Sequence, residues 1–148
     1  MYHVNEIFYS LQGEGHWTGK PMIFVRFSVC NLKCPFCDFA DSKTMSCEEI
    51  VKEAESIGNG CRTVVFTGGE PALQIDKELI EAFHKQSYRI HIETNGTRKL
   101  PEGIDWVTVS PKSDWQENAE PVLESANELK LVYTGQTLDK WEKFNADH

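Results

Sequence analysis

Strand-like and helix-like segments alternate along the chain, and this alternation limits the possible folds more than any other feature. Apolar and β-branched runs predict strands at residues 23–28, 63–66, 89–93, 106–110 and 128–133, with an additional strand at 3–10. Apolar stripes at helical spacing predict one helix that starts at Ser46 and two more at 76–86 and 138–145. Such alternation indicates βαβ units and therefore a largely parallel sheet.

A polar cluster follows each of four predicted strands. Three cysteines follow the strand at 23–28, Thr-Gly-Gly-Glu-Pro at 67–71 follows the next, Thr-Asn-Gly-Thr at 94–97 the third and Ser-Pro-Lys at 110–112 the fourth. In parallel α/β proteins the active site lies at the carboxyl ends of the strands. We therefore expect these clusters to meet at one mouth, as in an enzyme.

Length and charge restrict the architecture and the partners. The chain has 148 residues, too few for a complete eightfold β/α barrel of ~250 residues, so we expect a single domain over 1–148 that forms an incomplete, open barrel. The net charge of −8 argues against nonspecific binding to nucleic acid or anionic membranes. The N-terminus is neither basic nor strongly apolar, so we expect a cytoplasmic protein without a signal peptide.

The five cysteines include three within one short segment: Cys30, Cys34 and Cys37. Such clustering in a cytosolic chain indicates metal or redox chemistry rather than a disulfide framework. Structural zinc usually takes four ligands, and iron–sulfur clusters also normally take four cysteines. Three thiolates on a four-iron cluster would leave one iron open for chemistry. Spacing favours the iron–sulfur cluster over zinc, with Cys47 and Cys61 as ordinary small residues.

The cysteine spacing resembles the signature of the radical S-adenosylmethionine (SAM) superfamily, and Phe36 before the last cysteine fits it. In that superfamily the open iron binds the amino and carboxylate groups of SAM. Residues 67–71 resemble its glycine-rich motif for the SAM amine. Glycine lets the backbone approach a ligand closely, and Glu70 can accept a hydrogen bond from an ammonium group.

Longer motifs resemble one family within this superfamily, the 7-carboxy-7-deazaguanine synthases of queuosine biosynthesis. The matching segments are Glu-Ile-Phe-Tyr-Ser-Leu-Gln-Gly-Glu-Gly at 6–15, Phe-Val-Arg-Phe at 24–27, Cys-Asn-Leu-Lys-Cys at 30–34, Pro-Ala-Leu-Gln at 71–74, Glu-Thr-Asn-Gly at 93–96 and Val-Ser-Pro-Lys at 109–112. The resemblance extends over almost the whole chain, to about residue 132. Its most specific part is Gln-Gly-Glu-Gly at 12–15.

This resemblance implies a lyase that converts 6-carboxy-5,6,7,8-tetrahydropterin to 7-carboxy-7-deazaguanine by ring contraction with loss of ammonia. It implies a [4Fe-4S] cluster on Cys30, Cys34 and Cys37, an electron donor such as flavodoxin, and a homodimer. The implied SAM-binding residues are Phe36, Cys37, Asp38, Gly69, Glu70, Ser110, Pro111 and Lys112. The implied substrate-binding residues are Leu11, Gln12, Gly13, Glu14, Arg26 and Thr67. Arg26 suits a carboxylate, and Gln12 and Glu14 suit the hydrogen-bonding edge of a pterin.

Two departures from the family pattern matter. Relatives usually carry a magnesium-binding Thr two positions after the last cluster cysteine, where this chain has Phe39. Magnesium needs oxygen ligands, so either Asp38, Asp41 or Ser42 replaces the Thr or the site is lost. The resemblance also implies a chain that is short at its C-terminus. A shortened barrel would expose apolar surface that dimerisation could cover.

Two alternative functions share part of this pattern. A small radical SAM activase, which makes a glycyl radical on a protein partner, has the same cysteine spacing. It has no reason to carry Gln12, Glu14 or a carboxylate-binding Arg26. A zinc-binding module without catalysis would need only the cysteines.

Overall fold

The computed structural model describes residues 1–33 and 42–148. Within them, nine strands, two α-helices and a short 3-10 helix at Pro71–Leu73 occur. The helices are α1 (Cys47–Ile57) and α2 (Lys77–Lys85). The strands are β1 (Tyr2–Leu11), β2 (Pro21–Phe27), β3 (Lys43–Met45), β4 (Thr63–Gly68), β5 (Arg89–Thr94), β6 (Trp106–Val109), β7 (Ser125–Ala126), β8 (Glu128–Leu129) and β9 (Asn145–Ala146).

Seven strands form one sheet in the order β3-β1-β2-β4-β5-β6-β8. Strands β2, β4, β5, β6 and β8 are parallel, whereas β1 runs antiparallel to both β2 and β3. Strands β7 and β9 form a separate parallel pair. Within the described residues the sheet does not close on itself, which confirms the expected open, mostly parallel α/β architecture.

Both helices begin where their capping residues predict. The Ser46 side chain accepts from the Glu49 N–H while the Glu49 carboxylate accepts from the Ser46 N–H, and this capping box precedes α1. Gly58 follows the last residue of α1 as its C-cap. Asp76 caps α2 by accepting from the Leu79 N–H. No helix in the described ranges is long and apolar enough to cross a membrane.

The main core lies between these helices and one face of the sheet. Alternate residues of each strand enter it, namely Ile23, Val25, Phe27, Val64, Phe66, Ile90 and Ile92, and they meet Ile50, Ala54, Leu79 and Phe83 of the helices. The intervening residues therefore point the other way. We call this second side the open face; it carries Phe24, Arg26, Val65, Thr67, His91 and Glu93.

A β-bulge in β1 places its side chains on both faces. The register shifts between Val4, opposite Phe27, and Glu6, opposite Arg26. Val4 is buried in the main core, whereas Phe8 stacks on Phe24 of the open face with ring centroids 5.0 Å apart. An unbroken strand would keep residues 4, 6 and 8 on one side, so the extra residue turns the second half of β1 over.

Two sequence predictions are wrong at the C-terminal end. Residues 138–145 form turns followed by β9, not a helix. An eight-residue helix is marginal on its own, and here Trp141 is buried and its indole N–H donates to Asp114. Strand β8 covers only Glu128–Leu129 of the predicted 128–133. The apolar residues beyond it, Val132 and Tyr133, are exposed, so no neighbouring strand within residues 1–33 and 42–148 buries them.

Candidate functional site

The polar residues of the open face lie at the carboxyl ends of adjacent strands. Arg26 on β2 lies beside Thr67 on β4 in the strand register. Glu93 near the end of β5 lies opposite Thr108 of β6. Lys130 directly follows β8, and its backbone N–H donates to the Val109 carbonyl at the end of β6. Four strands thus bring their terminal side chains to one edge of the sheet.

Glu93 is the centre of this group. Its Oε1 accepts from Gln12 Nε2 at 3.2 Å, and its Oε2 accepts from Thr67 Oγ1 at 3.2 Å and from Lys130 Nζ at 3.2 Å. Lys130 Nζ also donates to Glu14 Oε2 at 2.8 Å. We call these five residues the Glu93 cluster. It brings together Gln12, Glu14 and Thr67, which the sequence assigned to a single site.

Backbone contacts fix the loop that contributes Gln12 and Glu14. The Gln12 N–H donates to the Lys20 carbonyl at 2.8 Å, and the Gln12 carbonyl accepts from the Gly19 N–H at 2.7 Å. These bonds extend the β1–β2 ladder, so Gln12 is held rigidly at the rim. Leu11 is exposed on this rim, and Gly13 has open space around its α-carbon.

Glu14 and Lys130 each stabilise the charged form of the other. The Lys130 ammonium, by hydrogen bond and by charge, holds the pKa of Glu14 below its ordinary value. Burial would lower the pKa of Lys130, but the carboxylates of Glu93 and Glu14 outweigh burial and hold that pKa above its ordinary value. Both groups are therefore charged around neutral pH.

Arg26 lies at the edge of the open face, where its contacts are exposed to solvent. Its guanidinium lies 3.4 Å from Glu6 Oε1, and both side chains are substantially exposed. It also lies 5.9 Å from the centroid of the Phe8 ring. Exposed ion pairs contribute little, so a ligand carboxylate can displace Glu6 at small cost.

The two glycines after β4 allow backbone to approach backbone. A methyl group on Gly69 would collide with the Val29 carbonyl, and one on Gly68, at φ 104°, with the Phe27 carbonyl. The Gly69 N–H donates to Phe27 at 2.8 Å and the Glu70 N–H to Val29 at 2.7 Å. The glycines therefore hold the segment that leads into Cys30 against β4.

Glu70 is completely buried, and its carboxylate joins the segment after β4 to the Thr94–Asn95 turn. Oε1 accepts from the Ala72 N–H at 3.0 Å and from Thr94 Oγ1 at 2.6 Å, and Oε2 accepts from the Asn95 N–H at 2.7 Å. Burial raises the pKa of this carboxyl group, against the effect of these donors. Its predicted contact with the SAM amine stays a prediction.

The Cys30 segment is tied to the loop after β5. Asn31 donates to Thr97 Oγ1 at 2.9 Å and accepts from Asn95 Nδ2 at 3.2 Å. The sulfur of Cys30 accepts from the Leu32 N–H at 3.4 Å. Backbone donors to cysteine sulfur are one means by which proteins tune iron–sulfur clusters, so the described part of the cysteine segment fits such a group.

The Ser110–Lys112 loop lies at the same edge. The Ser110 N–H donates to the Thr94 carbonyl at 2.8 Å, and Lys112 Nζ donates to Ser110 O and Oγ, each at 2.7 Å. The loop therefore adjoins the turn that Glu70 anchors. Pro111 lies between these two residues and is buried.

Several predicted site residues lie outside the described residues. They are Cys34, Phe36, Cys37, Asp38, Phe39 and Asp41. Ser42, the remaining candidate magnesium ligand, is described and exposed. Cys47 is buried against α2, and the Cys61 thiol donates to Pro21 O at 3.3 Å. Within residues 1–33 and 42–148, no group of three or more His, Cys, Asp or Glu side chains could hold a metal ion.

Sequence reasoning assigned no role to Glu93 and Lys130. In the sequence, Glu93 is the last charged residue before the Thr-Asn-Gly turn. Alternation along the predicted strand at 128–133 places Lys130 on the same face of that strand as Glu128. Neither signal shows that the two side chains meet, because that depends on the register of β5, β6 and β8.

His91 lies below Glu93 on β5, in an aromatic environment. Its ring lies 5.6 Å from Trp17 and 6.0 Å from Trp106, measured between centroids. It is 4% exposed, and its Nε2 has no hydrogen-bond partner among the described residues. Burial, assisted by the charge of Arg89, lowers the pKa of His91 to about 4. The imidazole is therefore neutral at physiological pH.

Lowering the pH from about 7 to about 4 is expected to cost about 3 kcal/mol of stability through His91. The unfolded chain takes up a proton near the ordinary pKa of 6.5, whereas folded His91 does so only near 4. The unfolded state binds more protons between these values, so this contribution, complete above 6.5, is lost as the pH falls. Urea unfolding of the wild type and of His91→Gln at several pH values measures the effect.

The His91→Gln variant should show a flatter dependence on pH than the wild type. Exposed His3 provides the matched control, and His3→Gln should keep the wild-type slope. Equal slopes for wild type and His91→Gln would contradict a neutral, buried His91.

A family model and several known proteins are similar to this chain over most of its length. The sequence model of the radical SAM superfamily matches residues 24–143. The 7-carboxy-7-deazaguanine synthase of Bacteroides thetaiotaomicron is 47% identical over 150 aligned residues, covering 100% of this chain and 79% of that protein. The synthase of the same name from Nitratidesulfovibrio vulgaris is 44% identical and covers 91% of this chain and 72% of that protein.

A solved structure shows the same architecture. The crystal structure of QueE from Escherichia coli superposes with a TM-score of 0.77 at 32% identity. The superposition covers 88% of this chain and 70% of that one. Identity at this level, together with the family match, extends the likeness beyond the fold alone.

Proposed function

The chain belongs to the radical SAM superfamily and, within it, to the 7-carboxy-7-deazaguanine synthases of 7-deazapurine biosynthesis, and on that premise we propose which of its residues carry the reaction. The reaction converts 6-carboxy-5,6,7,8-tetrahydropterin to 7-carboxy-7-deazaguanine with loss of ammonia. The observation that supports this assignment best is the convergence of Gln12, Arg26 and Thr67 with Glu93 at one edge of the sheet.

Membership of the superfamily implies a [4Fe-4S] cluster and SAM. Once bound, the cluster and SAM supply the radical chemistry of the ring contraction. We assign the cluster to Cys30, Cys34 and Cys37, supported by the backbone donor to the Cys30 sulfur. We assign SAM to Phe36, Cys37, Asp38, Gly69, Glu70, Ser110, Pro111 and Lys112. The described members of this set lie on loops that Glu70 joins, directly or through the Thr94–Asn95 turn.

The substrate has two ends of different chemistry, and the open face offers a match for each. Its carboxylate suits the guanidinium of Arg26, which can donate two parallel hydrogen bonds. The N–H donors of the pterin ring suit the acceptors of Gln12 and Glu14. Thr67 borders Arg26 in the strand register. Its hydroxyl donates to Glu93 and can accept a hydrogen bond from the substrate. Leu11 and Gly13 complete the rim through their backbone.

Neither alternative function is favoured. A glycyl-radical activase acts on a protein partner and does not explain the Glu93 cluster. A zinc module without catalysis does not explain the similarity to synthases across the chain.

The proposed function includes three further features: an electron donor, a homodimer and a magnesium site. We propose that an electron donor such as flavodoxin reduces the cluster. We also propose a homodimer that covers exposed apolar residues, among them Val122, Tyr133 and Leu138. A magnesium ion would have to bind through Asp38, Asp41 or Ser42, because Phe39 provides no side-chain oxygen.

An anaerobic assay with SAM, a reductant and the tetrahydropterin substrate tests the function. The wild type should form 7-carboxy-7-deazaguanine, and Arg26→Lys should raise the substrate KM about 10- to 100-fold, since it loses a bidentate charged contact. The affinity for SAM should change little. If the wild type is inactive with a full cluster, the proposed reaction is wrong.

Arg62 provides a matched control for Arg26. It also pairs with a carboxylate, Glu55, at 3.2 Å and lies 4.9 Å from the ring centroid of Tyr88. Arg62→Lys should therefore leave the substrate KM unchanged. If Arg26→Lys weakens SAM and substrate binding equally, Arg26 has a structural role instead.

A further inference from the structure

Lys130 has contacts that a surface lysine does not need. Its ammonium lies 2.8 Å from Glu14 Oε2 and 3.2 Å from Glu93 Oε2. Its side chain is 23% exposed and that of Glu93 is 21% exposed, whereas Glu14 is 65% exposed, so the desolvation cost falls on Lys130 and Glu93. Glu14 comes from the β1–β2 loop and Glu93 from β5, so Lys130 joins parts of the chain that are distant in sequence.

A shared cation changes what two adjacent carboxylates can do. Two carboxylates near each other repel, and without a cation one of them tends to take up a proton. A protonated carboxyl group becomes a hydrogen-bond donor at that oxygen. The pyrimidinone edge of a pterin presents N–H donors, which an ionised carboxylate accepts more strongly than a carboxyl group that carries a proton on one oxygen.

We propose that Lys130 is a positioning residue that holds Glu14 and Glu93 as ionised hydrogen-bond acceptors for the N–H edge of the pterin substrate. This role rests on the proposed function, because it concerns the same site. Gln12 and Thr67 complete the arrangement, since both donate to Glu93 and orient its two oxygens. Lys130 acts through these carboxylates and takes no part in the chemistry itself.

Other charged groups near the Glu93 cluster do not hold Glu14 and Glu93 in their ionised form as Lys130 does. They are Lys112 near Glu14, Arg26 and Glu6 beside Thr67, Glu128 two residues before Lys130, and His91 two residues before Glu93. Lys112 donates to Ser110, and Glu128 accepts from the His16 N–H at 3.2 Å. With a pKa of about 4, His91 stays neutral from pH 6 to 8. His16 lies two residues after Glu14, with its ring centroid 4.1 Å from that of His148. The difference between Lys130→Met and the wild type at each pH therefore reports on the carboxylates.

The test is anaerobic calorimetric titration of the cluster-loaded enzyme, with SAM bound, by 7-carboxy-7-deazaguanine. This product keeps the pyrimidinone edge and undergoes no turnover. Wild-type affinity should be nearly constant between about pH 6 and 8. Lys130→Met should bind about tenfold more weakly at pH 6 and be closer to wild type at pH 8, because a carboxylate pair without its cation takes up a proton at the lower pH. Lys130→Arg should restore the wild-type profile.

Lys43 supplies the control, because Lys43 pairs with Glu53 of α1, on the helix side of the sheet. Lys43→Met should bind product as the wild type does. Unchanged binding by Lys130→Met, or an equal loss at both pH values, overturns the positioning role. A steep loss of wild-type affinity between pH 8 and 6 that His16→Gln shares also overturns it, and both of these proteins keep Lys130.

Failure of the proposed function has a different signature. A wild-type enzyme that neither turns over the tetrahydropterin nor binds the product overturns both conclusions. A wild-type enzyme that turns over normally, with Lys130→Met indistinguishable from it, overturns only the role of Lys130.

Discussion

Replacing Cys30 by alanine is expected to remove the bound iron and abolish turnover. Cys30 supplies one of three proposed protein ligands, and a cluster left with two has lost the coordination that holds it. The same result is expected for Cys34→Ala and Cys37→Ala, whose positions lie outside the described residues. Iron per chain and visible absorbance after anaerobic reconstitution measure the loss independently of activity.

Cys61→Ala is the matched control for this series. Cys61 is half-buried, and its thiol contacts the Pro21 and Thr63 carbonyls rather than the cysteine segment. This variant should keep wild-type iron content. Full iron in Cys30→Ala, or loss of iron in Cys61→Ala, would show that the ligands are assigned wrongly. A colourless wild-type protein that contains zinc would instead favour the zinc module.

Replacing Glu70 by alanine is expected to lower the free energy of unfolding by about 3 kcal/mol. The change leaves three donors without this acceptor: the part-buried Ala72 N–H and the buried Asn95 N–H and Thr94 hydroxyl. Each orphaned donor costs about 1–3 kcal/mol. Removing a buried carboxylate offsets part of this cost. Small domains have only about 5–15 kcal/mol in total, so the loss should be plain in urea unfolding.

Two further variants separate this role from a contact with SAM. Thr94→Val removes one of the three donors and should cost about 1 kcal/mol. Glu102→Ala, at an exposed position, should cost almost nothing. All measurements are made without SAM or iron, so ligand binding cannot contribute. If Glu70→Ala is no less stable than Glu102→Ala, the three hydrogen bonds do not support the fold.

Local sequence signals predicted the elements that end at the site. Ser46 and Asp76 cap the helices at the expected positions, and the polar clusters after the predicted strands indicated which edge of the sheet carries the site. Such predictions succeed because capping and alternation depend on neighbouring residues only. The grouping of Gln12, Glu14 and Thr67 came instead from the resemblance to the synthase family.

Contacts between distant segments could not be predicted in the same way. The interaction of Lys130 with Glu93 depends on the register of three parallel strands, one of which has only two residues. The sequence suggested Glu70 as an acceptor for a ligand, and the structure adds three donors from the chain itself. At residues 138–145, tertiary contacts of Trp141 override a weak helical pattern.

The strand order has a consequence for the time at which the site forms during synthesis. Strands β1 and β2 pair through a short connection, so the segments that carry Gln12 and Arg26 are both available once the first thirty or so residues have emerged. Lys130 follows β8, at the opposite end of the sheet order. The acceptor pair of Glu14 and Glu93 therefore remains without its cation until nearly all of the chain described here has been made. A ribosome-bound chain that stops before β8 should consequently have the fold's first hairpin but an incomplete Glu93 cluster, without Lys130.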